Sequence, residues 1–456
     1  MGSELTRFRD VLEYAIGGGW GKETPDAKHA VAVTVVRGTD FSKLRGGDLN
    51  EVPRRYEVGS KVTKRTLEVG DIILEVSGGS PARGQTTGRT CYIDDVVLET
   101  LHQPIIPASF CRLVRVDRSK VVPRFAYYWL QDMYQSGRAA AYENQSTGIS
   151  NFQFERFLDA EAIVLPDLSI QQHVVETLVS IDDRIDNLRQ TNATLEAIAQ
   201  ALFKSWFADF DPVRAKAEGR EPEGMDRATA ALFPSEFEDS ELGPIPKGWR
   251  VETFGSAFEF TMGQSPPGTT YNTDGEGAAF FQGCTDFGDV FPVRRVFTTA
   301  PSRFAKAGDV LMSVRAPVGA VNLAVTDCAI GRGLCAIRHK SGSTGLTIEF
   351  VKASVQRIEA AAGEGALFKS LSKRQLADLP VVSAGEALVT AAIELLDPIV
   401  ERRLLLARQA ESLTQLRDTL LPRLISGRLR LSTIHSDSTS VGHNPTANNE
   451  DSDIKA

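Results

Sequence analysis

Residues 169–202 read SIQQHVVETLVSIDDRIDNLRQTNATLEAIAQAL, and this stretch sets the organisation of the chain. It opens with an S-x-x-Q capping box, in which side chains satisfy the free backbone donors of a helix start. Apolar residues then recur every three, four or seven positions, which is coiled-coil spacing. They are Ile170, Val174, Leu178, Ile181, Ile185, Leu188, Leu195, Ile198 and Leu202. The pattern predicts one helix that continues to Phe207, about 57 Å long at 1.5 Å per residue.

A second stretch of the same kind begins with the capping box Ser383 to Glu386. Its seam residues include Leu406, Leu413 and Leu420. Pro398 and Arg403 interrupt this seam, and the proline predicts either a kink or the true first turn of the helix. In the first helix the polar Asn192 occupies a seam position, where an amide usually fixes the register against a partner helix. We therefore expect the two helices to pair as an antiparallel coiled coil.

The segments that precede the two helices repeat one another. Gly70-Asp71, before an apolar strand-like run, is matched by Gly308-Asp309. The segment at 36–41 (VRGTDF) is matched by 281–287 (FQGCTDF), with one extra residue, and Phe152 is matched by Leu371. Three matches in the same order indicate two equivalent units of mixed α/β structure.

The predicted order of domains follows from the repeat. It is a first globular unit at residues 1–166, a long helix at 167–207, an irregular connector at 208–246, a second unit at 247–382, a second long helix at 383–428 and a disordered tail at 429–456. The connector is rich in Pro, Gly, Asp and Glu, and the tail is rich in Ser, Thr and Asn without apolar periodicity.

Composition is that of a globular protein, and its acidity is local. The 456 residues are 42% hydrophobic and carry a net charge of −8. The connector accounts for −6 and the tail from Ser432 for −3, which leaves +1 for the rest of the chain. DNA binding is therefore not excluded by charge, since basic groups can cluster on one face. The charged N-terminus and the lack of a long apolar run predict a cytoplasmic protein with no membrane partner.

Catalytic signatures are absent from the sequence. It contains no nucleotide-binding P-loop, zinc-protease, hydrolase-elbow or EF-hand motif, and no N-P-P-[YF] or D-P-P-Y element of an amino-methyltransferase. Five scattered cysteines and six distant histidines indicate neither a disulfide framework nor a metal site. Residues 17–21 (GGGWG) follow a segment that we interpret as a short helix, so they favour a loop over a phosphate-binding turn.

Five segments of the chain together resemble the specificity subunits of type I DNA restriction-modification systems. They are residues 195–207 (LEAIAQALFKSWF), 413–428 (LTQLRDTLLPRLISGR), 242–249 (LGPIPKGW), Gly70-Asp71 and Gly308-Asp309. The resemblance covers about Phe8 to Leu431. Two departures concern local helix geometry: the first unit lacks the P-x-G-W entry of residues 246–249, and the second helix has an interrupted seam.

The resemblance implies an α+β architecture of two target recognition domains separated by two long conserved helices that pair as an antiparallel coiled coil. It implies a subunit without catalysis that reads a bipartite DNA target. Two methyltransferase subunits and restriction/translocase subunits would be its partners, and these would carry S-adenosylmethionine, ATP and Mg, with no cofactor or metal in this chain.

Recognition residues do not transfer by motif, so we select them by position and chemistry. Lys and Arg neutralise phosphates, and Arg and Gln read base edges. The DNA-binding candidates are Arg37, Thr39, Lys43, Arg45, Ser77, Arg83 and Gln85 in the first unit, and Gln282, Thr285, Arg294, Arg315 and Arg332 in the second. The candidates for helix pairing and partner binding are Ile181, Ile185, Leu188, Asn192, Leu195, Leu202, Leu406, Leu413 and Leu420.

Two other functions compete with this interpretation. A stand-alone DNA methyltransferase would need the missing methyl-donor elements. A coiled-coil adaptor whose units bind proteins would show no duplex binding, whereas counterion release makes DNA affinity fall steeply with salt.

Overall fold

The computed structural model describes residues 4–44, 51–78, 86–146, 149–363 and 370–430. The chain forms two compact units. The first comprises residues up to 179 and those from 418 onward, and the second comprises residues 180–417. The division falls inside two helices of 40 residues each, so each long helix contributes to both cores.

The first unit is a mixture of short strands and helices. Its strands are β1 (Glu4–Arg7), β2 (Leu12–Gly17), β3 (Val31–Val36), β4 (Arg54–Glu57), β5 (Ile72–Glu75), β6 (Ser77–Gly78), β7 (Thr90–Tyr92), β8 (Ile105–Pro107), β9 (Cys111–Val116), β10 (Glu143–Ser146), β11 (Ile149–Phe152) and β12 (Ala162–Leu165). Its helices are α1 (Gly59–Arg65), α2 (Asp95–Thr100), α3 (Pro123–Gln135), α4 (Phe154–Ala160) and the start of α5 (Leu168–Phe207).

The second unit has the same kind of composition. Its helices are α6 (Asp211–Ala217), α7 (Arg227–Ala231), α8 (Phe254–Ala257), α9 (Thr344–Gly363), α10 (Lys373–Ala377) and most of α11 (Glu386–Ile425). Its strands are β13 (Phe237–Ser240), β14 (Gly243–Pro246), β15 (Arg250–Thr253), β16 (Phe258–Met262), β17 (Tyr271–Asn272), β18 (Ala278–Phe281), β19 (Phe297–Thr298), β20 (Phe304–Ala305), β21 (Val310–Ser313), β22 (Val321–Leu323), β23 (Cys328–Ile330), β24 (Leu334–His339) and β25 (Pro380–Ser383).

The two units share one strand topology, as the internal repeat predicts. An antiparallel sheet has the order β2-β9-β5-β7 in the first unit and β16-β24-β21-β22 in the second. A parallel pair, β3 with β8 and β18 with β23, lies in a further sheet of each unit. The strand that enters each unit pairs with the strand that leaves it, β1 with β12 and β15 with β25. The fold is therefore α+β and duplicated.

The repeated Gly-Asp pair is explained by an ion pair between two central strands of each sheet. Asp71 accepts two hydrogen bonds from the Arg115 guanidinium at 2.7 and 2.8 Å and one from the Glu68 N–H. Its counterpart Asp309 accepts from Arg338 at 2.7 Å and from a backbone N–H. Each carboxylate thus ties the turn before a central strand to the neighbouring strand.

The glycine-rich segment leaves a strand, so the short helix expected before it is wrong. β2 ends at Gly17, and the following backbone passes directly against the loop at 107–108. A Cβ on Gly18 would lie 2.1 Å from the Ala108 carbonyl oxygen. In the second unit a Cβ on Gly263 would lie 2.2 Å from the Gly331 oxygen. Both positions require glycine because the backbones are in contact.

Helix α11 is continuous from Glu386 to Ile425, so Pro398 does not mark its first turn. The proline lies on the exposed side, and no seam is interrupted there. Buried positions continue through Leu396, Val400, Arg403 and Leu406 in steps of four and three. Arg403, expected to break the seam, is one of its buried members.

The seam of α5 also differs from the predicted one. Ile170 and Ile198, which the spacing placed in the seam, are exposed. The buried side of α5 instead proceeds from Leu195, which is half-buried, to Ala199 and then Phe203. Ile198 and Ala199 follow Leu195 at spacings of three and four residues, so both fit the coiled-coil pattern. The spacing alone could not show that Ala199 is the buried one.

Candidate nucleic-acid interface and helix pair

A cleft of about 790 Å³ opens in the first unit beside the end of β3. Three of the sequence-selected residues, Arg37, Thr39 and Ser77, line it. Its other lining residues are Trp20, Gly38, Glu75, Gly78, Thr86, Arg89, Ala108, Ser109, Phe110 and Tyr134. The structure thus brings part of the predicted set together, on loops that follow β3, β5 and β8.

Charged groups in this cleft are held by fixed partners. The Arg37 guanidinium donates twice to Asp40, at 2.9 and 2.8 Å, and this ion pair raises the pKa of Arg37. Arg89, which also lines the cleft, donates to both oxygens of the buried Glu75 at 2.7 Å. The site therefore presents oriented guanidinium groups, the donors that suit phosphate oxygens and base edges.

The remaining candidates of the first unit are not among the residues that line this cleft. Lys43 forms an ion pair with Glu51 at 2.5 Å. Arg45, Arg83 and Gln85 lie outside the described residues.

In the second unit, two candidates meet through one serine. Ser265 Oγ lies 3.0 Å from Gln282 Oε1 and 2.8 Å from its Nε2, and it accepts the Arg332 N–H at 3.2 Å. The Arg332 side chain is exposed. Gln282 and Arg332 therefore present amide and guanidinium groups from adjoining loops.

The other second-unit candidates are exposed on separate loops. Thr285 follows β18, and Arg294 donates to Thr326 at 3.0 Å. Arg315 is exposed and forms an isolated backbone bridge to Ser370.

The shared topology places candidates from the two units at equivalent positions. The residue before Arg37 accepts a backbone hydrogen bond from Ala108, and the residue before Gln282 accepts one from Gly331. Ser77 pairs with Asn151 as Arg315 pairs with Ser370. Arg37 and Gln282 are therefore counterparts, and so are Ser77 and Arg315.

Sequence reasoning missed a third pair of counterparts. Arg332 follows Gly331 as Ser109 follows Ala108, so Ser109 occupies the Arg332 position in the first unit. Ser109 is exposed and lines the cleft. Only the backbone pairing of the two loops could identify it, since the surrounding sequences differ.

The long helices are joined by a buried polar contact within the second unit. The Asn192 amide donates to the Arg403 carbonyl at 2.7 Å, and Arg403 Nε donates back to Asn192 Oδ1 at 2.9 Å. Arg403 also donates to Glu196 at 2.6 Å, and Lys352 of α9 pairs with the same carboxylate. Since Asp182 pairs with Arg417 farther along, the two helices are antiparallel.

The other helix candidates fall into the surrounding apolar contacts. Leu188, Leu195, Leu406 and Leu413 pack together with Ala410. Ile185 is buried, and Ile181 is half-buried. Leu202 packs in an aromatic cluster of the second unit, and Leu420 packs against the first-unit core.

A buried glutamate beside this polar contact makes stability depend on pH. Glu349 in α9 is 2% exposed, its Oε1 has no hydrogen-bond partner among the described residues, and burial raises its pKa to about 7. Between its ordinary pKa and about 7 the folded state binds more protons than the unfolded state, so stability falls as pH rises through this window. We expect a loss on the order of 2–3 kcal/mol.

Glu349→Gln should remove that slope, because the amide is neutral at every pH. The measurement is the urea unfolding midpoint at pH 5 and at pH 8. Glu359→Gln, on an exposed position of the same helix, serves as the matched control. A wild-type midpoint that is unchanged or higher at pH 8 would contradict the assignment.

Other reactive chemistry is sparse in the part of the chain that the structure describes. Burial raises the pKa of the Cys111, Cys328 and Cys335 thiols to about 12. Within the described ranges, no group of three or more His, Cys, Asp or Glu side chains could hold a metal ion. No helix among the described residues is long and apolar enough to span a membrane.

Comparison with known proteins identifies relatives over nearly the whole length. The type I restriction modification DNA specificity domain matches residues 45–197. A putative type I restriction enzyme MjaX specificity subunit of Methanocaldococcus jannaschii is 25% identical over 447 residues, covering 94% of each chain. The type I restriction enzyme HindI specificity subunit of Haemophilus influenzae is 23% identical over 420 residues, covering 80% of this chain and 88% of the relative.

A solved structure supports the fold. The S subunit of a type I restriction-modification system from M. genitalium superposes with a TM-score of 0.52 at 17% identity. The superposition covers 93% of this chain and 96% of the other.

Proposed function

We propose that the chain is a specificity subunit of a type I restriction-modification system and that it reads a DNA sequence made of two separate words, one with each unit. The observation that carries this proposal is the duplication: one strand topology occurs twice with different side chains at equivalent positions. The first unit has Arg37 and Ser77 where the second has Gln282 and Arg315. A shared framework with different donors and acceptors suits the reading of two different words.

In this proposal the paired helices set the number of base pairs between the words. The Asn192–Arg403 contact supports a single register, because another alignment would bury both polar groups without partners. The buried seam side chains of α5 and α11 would then serve to pair the two helices with each other.

Partner subunits would bind the exposed sides of the same helices. Apolar residues that are 44–50% exposed on α5 and α11 are better candidates for that contact than the buried seam residues. They are Ile170, Ile198, Leu395, Leu405 and Leu416. Two methyltransferase subunits, and restriction/translocase subunits where present, would supply S-adenosylmethionine, ATP and Mg, and therefore the catalysis, in the cytoplasm.

The test is base-resolved mapping of adenine methylation in cells that produce this chain together with the methyltransferase subunit encoded beside it. We expect a split motif that disappears when this chain is omitted. A complex that forms without any new methylated motif would favour the adaptor function, and so would the absence of salt-dependent duplex binding.

The same mapping with a variant of the second unit tests which of the two words that unit reads. Arg315→Ser should alter one word and leave the other unchanged, because Arg315 is exposed on one unit only. Arg374→Ser, at an exposed arginine of α10, is the matched control. Unchanged discrimination at every base of both words would remove Arg315 from the interface.

A further inference from the structure

We propose that the cleft of the first unit holds a single nucleobase that has left the DNA stack, with Trp20 and Phe110 as its aromatic walls. This inference rests on the proposed function, because it requires that the unit contacts DNA. It differs from base-edge reading in a groove, since the base would leave the helix and enter the protein.

The two aromatic walls are specific to the first unit. Gly18 and Gly19 donate backbone hydrogen bonds to Cys111 and Pro107, and Gly263 and Gln264 donate the equivalent bonds to Leu334 and Ile330. The next residue is Trp20 in the first unit and Ser265 in the second. Phe110 precedes Cys111 in the same way that Gly333 precedes Leu334. Two large rings thus stand where the second unit has a serine and a glycine.

Both rings are exposed to solvent, so packing in the core of the unit does not account for them. Trp20 is 39% exposed and Phe110 is 62% exposed, although both line the cleft. Exposed aromatic rings are the groups on which unpaired bases stack in proteins that bind single strands. Their position on a cleft, rather than on a protruding surface, favours a planar ligand that enters.

The Trp20 ring and the backbone of Phe110 are held in place by contacts within the first unit. The Arg55 guanidinium lies over one face of the Trp20 ring, 4.7 Å from its centroid, and pairs with Glu23. The carbonyl of Phe110 accepts hydrogen bonds from Val76 and Ser77 at 2.9 and 3.2 Å. Because Arg55 already covers one face of the Trp20 ring, that ring loses little freedom when a base stacks on its other face.

The rest of the cleft suits the other parts of a nucleotide. Its volume of about 790 Å³ lies in the range of ligand sites. The Glu75–Arg89 pair and Ser109, which line the cleft, provide acceptors and donors for a base edge, and the Arg37 guanidinium beside Asp40 provides a donor for a phosphate. Duplex edges are read by side chains that enter a groove, whereas an aromatic-walled hollow is the form that accepts a displaced base.

The experiment uses the complex of this chain with its methyltransferase subunit on duplexes that contain the mapped motif. Fluorescent analogues, 2-aminopurine for purines and pyrrolo-cytosine for pyrimidines, replace the bases of the first-unit word one position at a time. We expect one position other than the methylated adenine to become unstacked. Trp20→Ser and Phe110→Gly, which install the second unit's residues, should abolish that signal and weaken binding roughly 5- to 100-fold each.

Two controls separate stacking from folding and from the general function. Trp20→Phe should retain the signal, and Arg374→Ser, at an exposed arginine of α10, should leave it unchanged. The signal at the methylated adenine should persist in Trp20→Ser. The inference is overturned if every other position stays stacked in the wild-type complex, or if the unstacked position survives both replacements. A wild-type complex that yields no split motif would instead defeat the proposed function.

Discussion

Replacing Arg403 with alanine is expected to lower the free energy of unfolding of the second unit by about 3–5 kcal/mol. Arg403 is 3% exposed and holds both Asn192 and Glu196 of the opposite helix. Without the guanidinium, the Asn192 oxygen loses its donor in a buried position and a cavity remains in the seam. The urea midpoint of the second unit, followed by tryptophan fluorescence, measures the loss.

The neighbouring Arg402 provides the control, because its side chain is exposed. Arg402→Ala should change the free energy of unfolding by less than about 0.5 kcal/mol. A double replacement, Asn192→Leu with Arg403→Leu, should recover part of the loss, since an apolar pair needs no buried partners. Equal effects of Arg402→Ala and Arg403→Ala would show that the buried contact contributes no stability.

Phe157→Ala should cost the first unit about 3–5 kcal/mol of folding free energy. Phe157 is fully buried at the centre of an aromatic cluster. Its ring centroid lies 5.1 Å from that of Phe8, 5.4 Å from that of Phe152 and 5.8 Å from that of Tyr142. Truncation removes these contacts and leaves a cavity that rigid neighbours cannot fill. Near-ultraviolet circular dichroism in a urea titration reports this cluster directly.

Phe110→Ala is the matched comparison, since it removes the same side chain from an exposed position. We expect its midpoint to stay at the wild-type value. A similar loss in both variants would mean that Phe157 is not central to the first-unit core.

Local sequence chemistry determined the helices and the duplication. The capping boxes and the 3–4 spacing predicted two long helices, and α5 and α11 begin and end within a few residues of the predicted limits. The Gly-Asp matches predicted two equivalent units, and the strand order repeats. These features are recoverable because they depend on neighbours within a few residues. The buried side chains were harder to assign, as Ile198 and Arg403 show, because an opposing helix decides which of two adjacent residues is covered.

Tertiary structure alone decided what stands beside each candidate residue. The repeated segments of the sequence align Arg37 with Gln282 and Ser77 with Arg315, and the backbone pairing shows which segments meet beside each of them. Trp20, Ser109 and Phe110 were missed, because loops about 90 residues apart meet at one cleft and no spacing connects them. The Asp71–Arg115 and Asp309–Arg338 pairs likewise join distant strands. The spacing of apolar residues reports helices and strands, because these depend on neighbours along the chain. A site forms where distant segments come into contact, and the spacing of residues in the sequence does not report such contacts.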